Sequence, residues 1–303
     1  MLLKKNIPFK YIFGKIKYEI IGLTLYTVAV TLLFEVYHVS YLSIPIAVPS
    51  IMITVVSLLL AFRSNQAYDR WWEARTIWGA VVNDSRSWAR QISTFIQENI
   101  PGDEMYFFKS AMIRRQIAWC VSLNQSLRGK DDKENLDKWI NRSDLQQLKN
   151  FNNVPMALLL AQAQNLQLAY RNGWINQFQQ IELDNTLTRF SNSMGACERI
   201  KKTVFPATYS MYIHLSLLFF FMMLPFSLFE IFGLMTVPMV VAIAAVYFLI
   251  EKMAVHLQDP FENKPTDTPM TSICFTIERD LKQVINDSSH HEAAVKENAY
   301  FIL

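Results

Sequence analysis

The chain has 303 residues, of which 51% are hydrophobic, 13% aromatic and 18% charged, with a formal net charge of +3. This composition is too apolar for an average soluble protein and too polar for a bundle that lies wholly within a membrane, so we expect a mixed architecture. The small net charge gives no indication of a nucleic-acid partner or of a strongly acidic substrate.

Four hydrophobic stretches without Asp, Glu, Lys or Arg are candidates for membrane helices: residues 20–34, 39–62, 203–229 and 231–250. A helix needs about 20 apolar residues to cross the hydrocarbon of a bilayer, and the last three stretches reach that length. The first is shorter, but Glu19 and Glu35 lie near its ends, where they can reach the headgroups. The sequence therefore predicts four transmembrane helices.

Lysine and arginine flank these stretches unevenly. Lysine or arginine residues precede the first and third stretches and follow the second and fourth. The connection between the first and second stretches and the one between the third and fourth contain no lysine or arginine. Because cytoplasmic flanks of membrane helices are enriched in Lys and Arg, both termini and the middle of the chain are predicted to face the cytoplasm. We expect a multi-pass protein of the inner or plasma membrane.

These stretches divide the chain into four regions. Residues 1–62 contain the N-terminal segment and the first two membrane helices. Residues 63–202 form a cytosolic helical domain, which continues the second helix. Residues 203–250 form the last two membrane helices, and 251–303 a cytosolic C-terminal segment. In 105–123 and 175–194, apolar residues recur at three- and four-residue spacing, which predicts amphipathic helices. Asn153 followed by Pro155 indicates a helix start. No alternating strand pattern is present, so the predicted class is all-α.

The second stretch continues into SNQAYDRWWEARTIWG, residues 64–79. No proline or glycine lies between Pro49 and Gly79, so one helix is predicted from about residue 50 to 78, longer than the bilayer is thick. On residue types alone, the tryptophans and charges are explained as an aromatic belt with solvated charges at the headgroups.

The order of the residues is more specific. AYDRWWEARTIWG and the nearby VVNDSR resemble the bestrophin family of ion channels, in particular its bacterial and plant branch. Further fragments follow in the expected order: GACERI at 195–200, YSMYIHL at 209–215, LPF at 224–226 and DPF at 259–261. The resemblance covers about residues 63–274, and the order of these fragments makes it specific.

The resemblance implies a homopentameric barrel of all-α subunits, each with four transmembrane helices, around a central pore lined by the second helix. The hydrophobic neck of that pore would fall on Thr54, Leu58 and Phe62. Their i, i+4, i+8 spacing places them on one helix face. The structural alternative is an apolar stripe that packs against a neighbouring helix. Thr54 departs from the bulky apolar residue usual in the family, so the outer ring would be wetter.

The family also has a lower constriction ahead of the GACERI helix, which falls near Phe178; core packing of Phe178 is an equal alternative. The resemblance further marks Arg70, Trp71, Trp72 and Asp259 as a structural signature. Trp71 and Trp72 occupy adjacent helix faces with Trp78, so at least one must pack against the first span or an adjoining subunit.

In animal bestrophins the DPF motif is followed by acids that bind calcium, a cation that needs six to eight oxygen ligands. Here only Asp259, Glu262 and Asp267 are present, interrupted by Asn263 and Lys264. The resemblance therefore does not extend to calcium gating, and we expect Asp259 to be a helix-terminus or intersubunit carboxylate. No metal and no cofactor is expected.

Catalysis is not expected either, because the sequence contains no GxSxG, Walker, HExxH or GxGxxG motif. The contiguous His290, His291 and Glu292 do not converge on a metal from one helix face. His214, inside the third stretch, is interpreted as a hydrogen-bonding partner of a neighbouring helix, with titration near a water-filled path as the alternative. We expect no facing pair of ionisable residues within the membrane helices.

The predicted function is a passive ion channel whose partners are its own copies, permeant ions and the lipid bilayer. The resemblance favours chloride over sodium or potassium. An alternative is a membrane-anchored scaffold or sensor with a non-conducting pore. A coupled transporter would need inverted repeats and broken helices, for which Pro225 and Pro238 are the candidate breaks.

Overall fold

The computed structural model of the chain describes residues 13–37, 43–96, 104–148, 150–203 and 206–287. Within these residues the regular structure is entirely helical, so the predicted all-α class is confirmed. The helices are, in chain order, α1 (Lys17–Tyr37), α2 (Ala47–Phe95), α3 (Glu104–Leu127), α4 (Arg142–Leu148), α5 (Val154–Arg171), α6 (Gln177–Lys202), α7 (Ala207–Phe232), α8 (Thr236–Gln258) and α9 (Met270–Val284).

The chain forms two compact units. The first consists of Lys4–Trp71 and Val204–Asp259, and we call it the membrane unit. The second consists of Trp72–Thr203 and, among the later described residues, 260–287, and we call it the globular unit. Helix α2 begins in the membrane unit and ends in the globular unit.

Three stretches of helix in the described residues are long and apolar enough to cross a membrane: α1, α2 and the 52 residues of Ala207–Gln258. The last stretch contains α7 and α8, joined by the 3-10 turn Gly233–Met235. Hydroxyl groups in these helices bond to their own backbone; Thr27, for example, donates to the carbonyl of Leu23 at 2.8 Å. Such bonds satisfy a polar group where no water is available.

The membrane unit has a continuous apolar core in which α1, α7 and α8 pack against one another. Helix α2 contributes Val56 and Leu60 to this core. Helix α7 runs without a break through Pro225, and Pro238 lies in the first turn of α8, where its missing N–H leaves no bond unmade. Neither proline breaks a helix.

Helix α2 is longer than predicted at its C-terminal end. It begins at Ala47, close to the predicted start, but it runs past Gly79 to Phe95. A glycine inside a helix costs about 1 kcal/mol. On both sides of Gly79 the helix buries large side chains completely, including Trp78 and Trp88. Each such burial stabilises the helix by roughly 1.5–3 kcal/mol, which outweighs the glycine.

The globular unit is built around α3, which packs against α5, α6 and α9. Trp119 of α3 and Trp88 of α2 both contact the ring of Phe190, at centroid distances of 5.0 and 6.3 Å. The predicted start of α5 is confirmed, because the Asn153 side chain accepts a hydrogen bond from the backbone N–H of Met156 at 3.0 Å. The two amphipathic helices predicted in this region correspond to α3 and α6.

Cys120, Cys197 and Cys274 are buried free thiols. Burial raises the pKa of Cys120 and of Cys197 to about 12, and it also raises the pKa of Cys274. A thiol reacts through its thiolate, which is scarce when the pKa lies far above the solution pH.

We therefore expect native protein at about pH 8 to leave all three thiols unlabelled by iodoacetamide, and denatured protein to label all three. Mass spectrometry of intact protein measures both. Rapid labelling of any cysteine in the native protein would contradict the packing described here.

Candidate functional site

Thr54, Leu58 and Phe62 lie one turn apart along one exposed face of α2. Leu58 and Phe62 expose 57% and 56% of their surface, and Thr54 is also exposed. At 1.5 Å per residue, the three positions extend over about 12 Å of the helix axis. Among the described residues, no neighbouring helix covers this stripe.

The hydroxyl of Thr54 donates a hydrogen bond to the carbonyl of Ser50 at 2.8 Å. The side chain is therefore bonded along its own helix and has less apolar bulk than Leu58 or Phe62. Any barrier to water at this level of the helix would be lower than at the two larger residues.

The opposite face of α2 carries a buried charge. Arg63 follows Phe62 directly, and its Nη1 lies 3.8 Å from Oε1 of Glu251 on α8. The two side chains are only 3% and 5% exposed. The Nδ1 atom of His214 on α7 lies 3.1 and 3.2 Å from the two oxygens of the same carboxylate. Three helices thus meet at one carboxylate, and we call Arg63, His214 and Glu251 the ion cluster.

The ion cluster was only partly predicted. The expected hydrogen bond between His214 and a neighbouring helix is confirmed. The expectation that no ionisable pair faces within the uncharged stretches did not cover the pair of Arg63 and Glu251, because each stands one residue beyond such a stretch. That position was the available signal: a charge at the inner end of each of two helices can meet a partner when the helices pack.

Further polar contacts join helices of the membrane unit. Lys252 of α8 pairs with Glu19 of α1 at 2.7 Å. The hydroxyls of Ser57 on α2 and Tyr247 on α8 lie 3.0 Å apart. The contact of Ser57 with Tyr247 restricts rotation of α2 within the membrane unit.

Phe178 lies in the first turn of α6 and is 82% exposed. The alternative in which it packs in the core of the chain is therefore wrong. In the part of the chain that the structure describes, most of its ring is uncovered, so it is available to a neighbouring molecule or to a water-filled space.

The residues of the structural signature have different surroundings. The Nε of Arg70 donates a hydrogen bond of 2.9 Å to the carbonyl of Gln258, the last residue of α8, and Asp259 follows at the C-cap. Arg70 thus satisfies a terminal carbonyl of α8 and places a positive charge at the negative end of that helix. Asp259 has the predicted helix-terminus position.

The three tryptophans also differ. Trp78 is completely buried, Trp71 lies with its ring 6.0 Å from that of Tyr68, and Trp72 is 56% exposed. Within the chain, Trp78 is therefore a core residue, whereas most of the surface of Trp72 is uncovered.

A family model described as bacterial/fungal bestrophin protein matches residues 9–283, which is most of the chain. The chain belongs to the bestrophin family. Two curated relatives cover similar lengths. A voltage-dependent anion channel-forming protein of Nostoc sp. (strain PCC 7120) is 33% identical over 271 residues, which are 89% of this chain and 87% of the relative. The protein YneE of Escherichia coli K12, of the same description, is 29% identical over 96% of this chain and 93% of its own length.

The fold matches solved bestrophin structures. A bacterial bestrophin homologue from Klebsiella pneumoniae superimposes with a TM-score of 0.83 over 90% of this chain and 99% of its own, at 23% identity. At that identity the match shows the fold alone. Because the family is one of ion channels, the prediction that this bestrophin is a membrane protein and not an enzyme is confirmed.

The acids that follow the DPF motif of this bestrophin have local partners. Asp267 is buried and accepts a hydrogen bond from the backbone N–H of Lys264 at 2.9 Å, and the side chain of Lys264 pairs with Glu262. Among the described residues no three His, Cys, Asp or Glu side chains are grouped closely enough to hold a metal ion. His290, His291 and Glu292 lie outside the described residues.

We expect Arg70→Ala to lower the thermal stability of the protein, since a hydrogen bond to a charged group contributes about 1.5–3 kcal/mol. Circular dichroism during heating in detergent measures the midpoint. Arg90→Ala, an exposed arginine on the same helix, is the control and should leave the midpoint unchanged. Equal midpoints for the two variants would contradict the role of Arg70 at the end of α8.

Proposed function

We propose that this bestrophin is the subunit of a passive ion channel that conducts small monovalent ions, with chloride favoured over sodium and potassium. The observation that carries the proposal is the exposed stripe of Thr54, Leu58 and Phe62, opposite the buried face of the same helix. Exposed leucine and phenylalanine side chains are covered by lipid, by another protein, or by the same side chains of identical subunits around a common symmetry axis. The names of the Nostoc and Escherichia relatives support the last arrangement.

The continuation of this face supports an aqueous path. At about 100° per residue, Asn65, Asp69 and Thr76 continue the line of Leu58 and Phe62 along α2. All three are exposed. A path for ions needs apolar side chains only at its constriction and polar side chains where water enters. The change from apolar to polar after Phe62 fits that requirement.

The proposed assembly is a homopentamer, because four membrane helices in one chain cannot readily enclose a water-filled path whereas a symmetric ring can. The four helices would be α1, the first part of α2, α7 and α8, with both termini in the cytoplasm of a cell whose inner or plasma membrane holds the channel. In the ring, Leu58 and Phe62 would form stacked apolar rings that exclude water when closed, below a wetter ring of Thr54.

A second constriction is proposed at Phe178. Its support is the large uncovered ring at the start of α6. The residues 63–202 and 251–303 would form the cytosolic part of each subunit.

The neck residues are uncharged and therefore select neither sign of ion by direct contact. The preference for chloride rests on the relatives, which are named for anions.

Ion flux through liposomes tests the channel. We expect wild-type protein to pass chloride, and Leu58→Ala and Phe62→Ala to pass it several-fold faster, because a smaller apolar ring admits water more easily. A chloride-sensitive dye reports the flux. Leu25→Ala, at an exposed leucine of α1, is the matched control and should equal wild type. A scaffold with a non-conducting pore would give no flux in any of these proteins, and that result would refute the proposal.

Trp72 tests the assembly. Since 56% of its surface is uncovered in the single chain, we expect Trp72→Ala to weaken the pentamer while the subunit keeps its helical content. Native mass spectrometry measures the oligomer, and Trp72→Phe should restore it at least partly. A stable pentamer with alanine at this position would exclude a contact between subunits there.

A further inference from the structure

The ion cluster lies immediately behind the innermost residue of the proposed neck. Arg63 is adjacent to Phe62 in the sequence, and successive side chains on a helix point about 100° apart. Phe62 is exposed, whereas the Arg63 side chain is 3% exposed and faces Glu251. Between residues 47 and 68, Arg63 is the only charged residue of the sequence.

The cluster carries nearly balanced charge. Arg63 contributes one positive charge and Glu251 one negative charge, and His214 adds a positive charge when it is protonated. The neighbouring Glu19 and Lys252, 2.7 Å apart, contribute one charge of each sign. The sum is therefore close to zero with His214 neutral, and a change at any one member makes it positive or negative.

The apolar surroundings of the ion cluster screen its charges only weakly. Charges in an apolar interior are screened much less than charges in salt solution, where screening acts over about 8 Å. The field of a buried charge next to the neck can therefore reach an ion that passes Phe62 without any contact between them.

We propose that the charge balance of Arg63, His214 and Glu251 determines whether the neck prefers anions or cations. This inference rests on the proposed function, since it requires α2 to line the ion path. In a symmetric ring, each change of charge is repeated in every subunit at the same depth. A net positive cluster attracts chloride into the neck, and a net negative cluster attracts sodium.

The sign of each substitution follows directly. Glu251→Gln leaves Arg63 without its counter-charge and raises the preference for chloride. Arg63→Gln leaves the negative Glu251 and raises the preference for sodium. His214→Arg adds a permanent positive charge and raises the preference for chloride. The double variant Arg63→Gln with Glu251→Gln restores a neutral cluster.

The experiment measures reversal potentials of wild type and these variants in planar bilayers with asymmetric sodium chloride. We expect the chloride-to-sodium permeability ratio to rise about threefold or more in Glu251→Gln and to fall by a similar factor in Arg63→Gln. The double variant should lie close to wild type. A purely structural ion pair would change stability and current amplitude in all variants but would not move the two ratios in opposite directions.

Removing one member of a buried pair can prevent folding. His214→Arg keeps both buried charges, and the His214 side chain is 36% exposed, so a larger side chain can be accommodated there. The chloride-to-sodium permeability ratio of His214→Arg must rise even if Glu251→Gln and Arg63→Gln both fail to fold. If the variants carry current with unchanged chloride-to-sodium permeability ratios, or if all the ratios move in one direction, the inference about the ion cluster is wrong. The proposed channel function would survive that result. An absence of current in wild type and in Leu58→Ala would instead refute the proposed function.

Discussion

The buried guanidinium of Arg63 imposes the strongest constraint on the membrane unit. An arginine side chain taken out of water needs a carboxylate and further polar partners, because an unpaired buried charge is strongly unfavourable. Glu251 provides the carboxylate from α8. The pair can form only when α2 turns one face towards α7 and α8, which also buries Val56 and Leu60. Leu58 and Phe62, on the other side of the helix, must then face outwards. The exposure of the apolar stripe is thus a consequence of the ion pair and of helix geometry together.

The globular unit follows a different rule, since its central helix α3 is buried on nearly all sides and still carries polar residues. Gln116 donates to the hydroxyl of Ser85 at 3.0 Å, and Arg115 pairs with Asp144 at 2.6 Å. Each of these bonds joins α3 to another element. Buried polar groups that find partners in this way favour one arrangement of the helices over others of similar apolar packing. The globular unit therefore depends on several dispersed polar contacts, whereas the membrane unit depends on one ion cluster.

Local signals in the sequence predicted the helices whose ends are marked by their own residues. The Asn153 cap and the three- and four-residue spacing of apolar side chains identified α5 and α6. The end of α2 was missed, because Gly79 is a local signal for termination whereas the tryptophans that oppose it are buried by helices distant in sequence. The ion cluster was missed for the same reason. Arg63 and Glu251 are each ordinary charges at the end of an apolar stretch, and only the packing of α2 on α8 brings them together. The sequence order of the signature fragments identified the family.

A charge placed behind a neck differs physically from a charge placed within it. A charged side chain in direct contact with a passing ion replaces part of the ion's water shell and binds it, and tight binding slows release. Apolar rings avoid this problem but give no discrimination between ions of opposite sign. In the proposed channel, a buried cluster one residue from Phe62 would supply an electric field at the constriction while the path itself stays free of ligands. Because Arg63 and Glu251 carry opposite charges, the proposal implies that one substitution alters the sign of that field without altering the width of the path. Related chains could therefore retain one pore architecture and differ in the ions that they conduct.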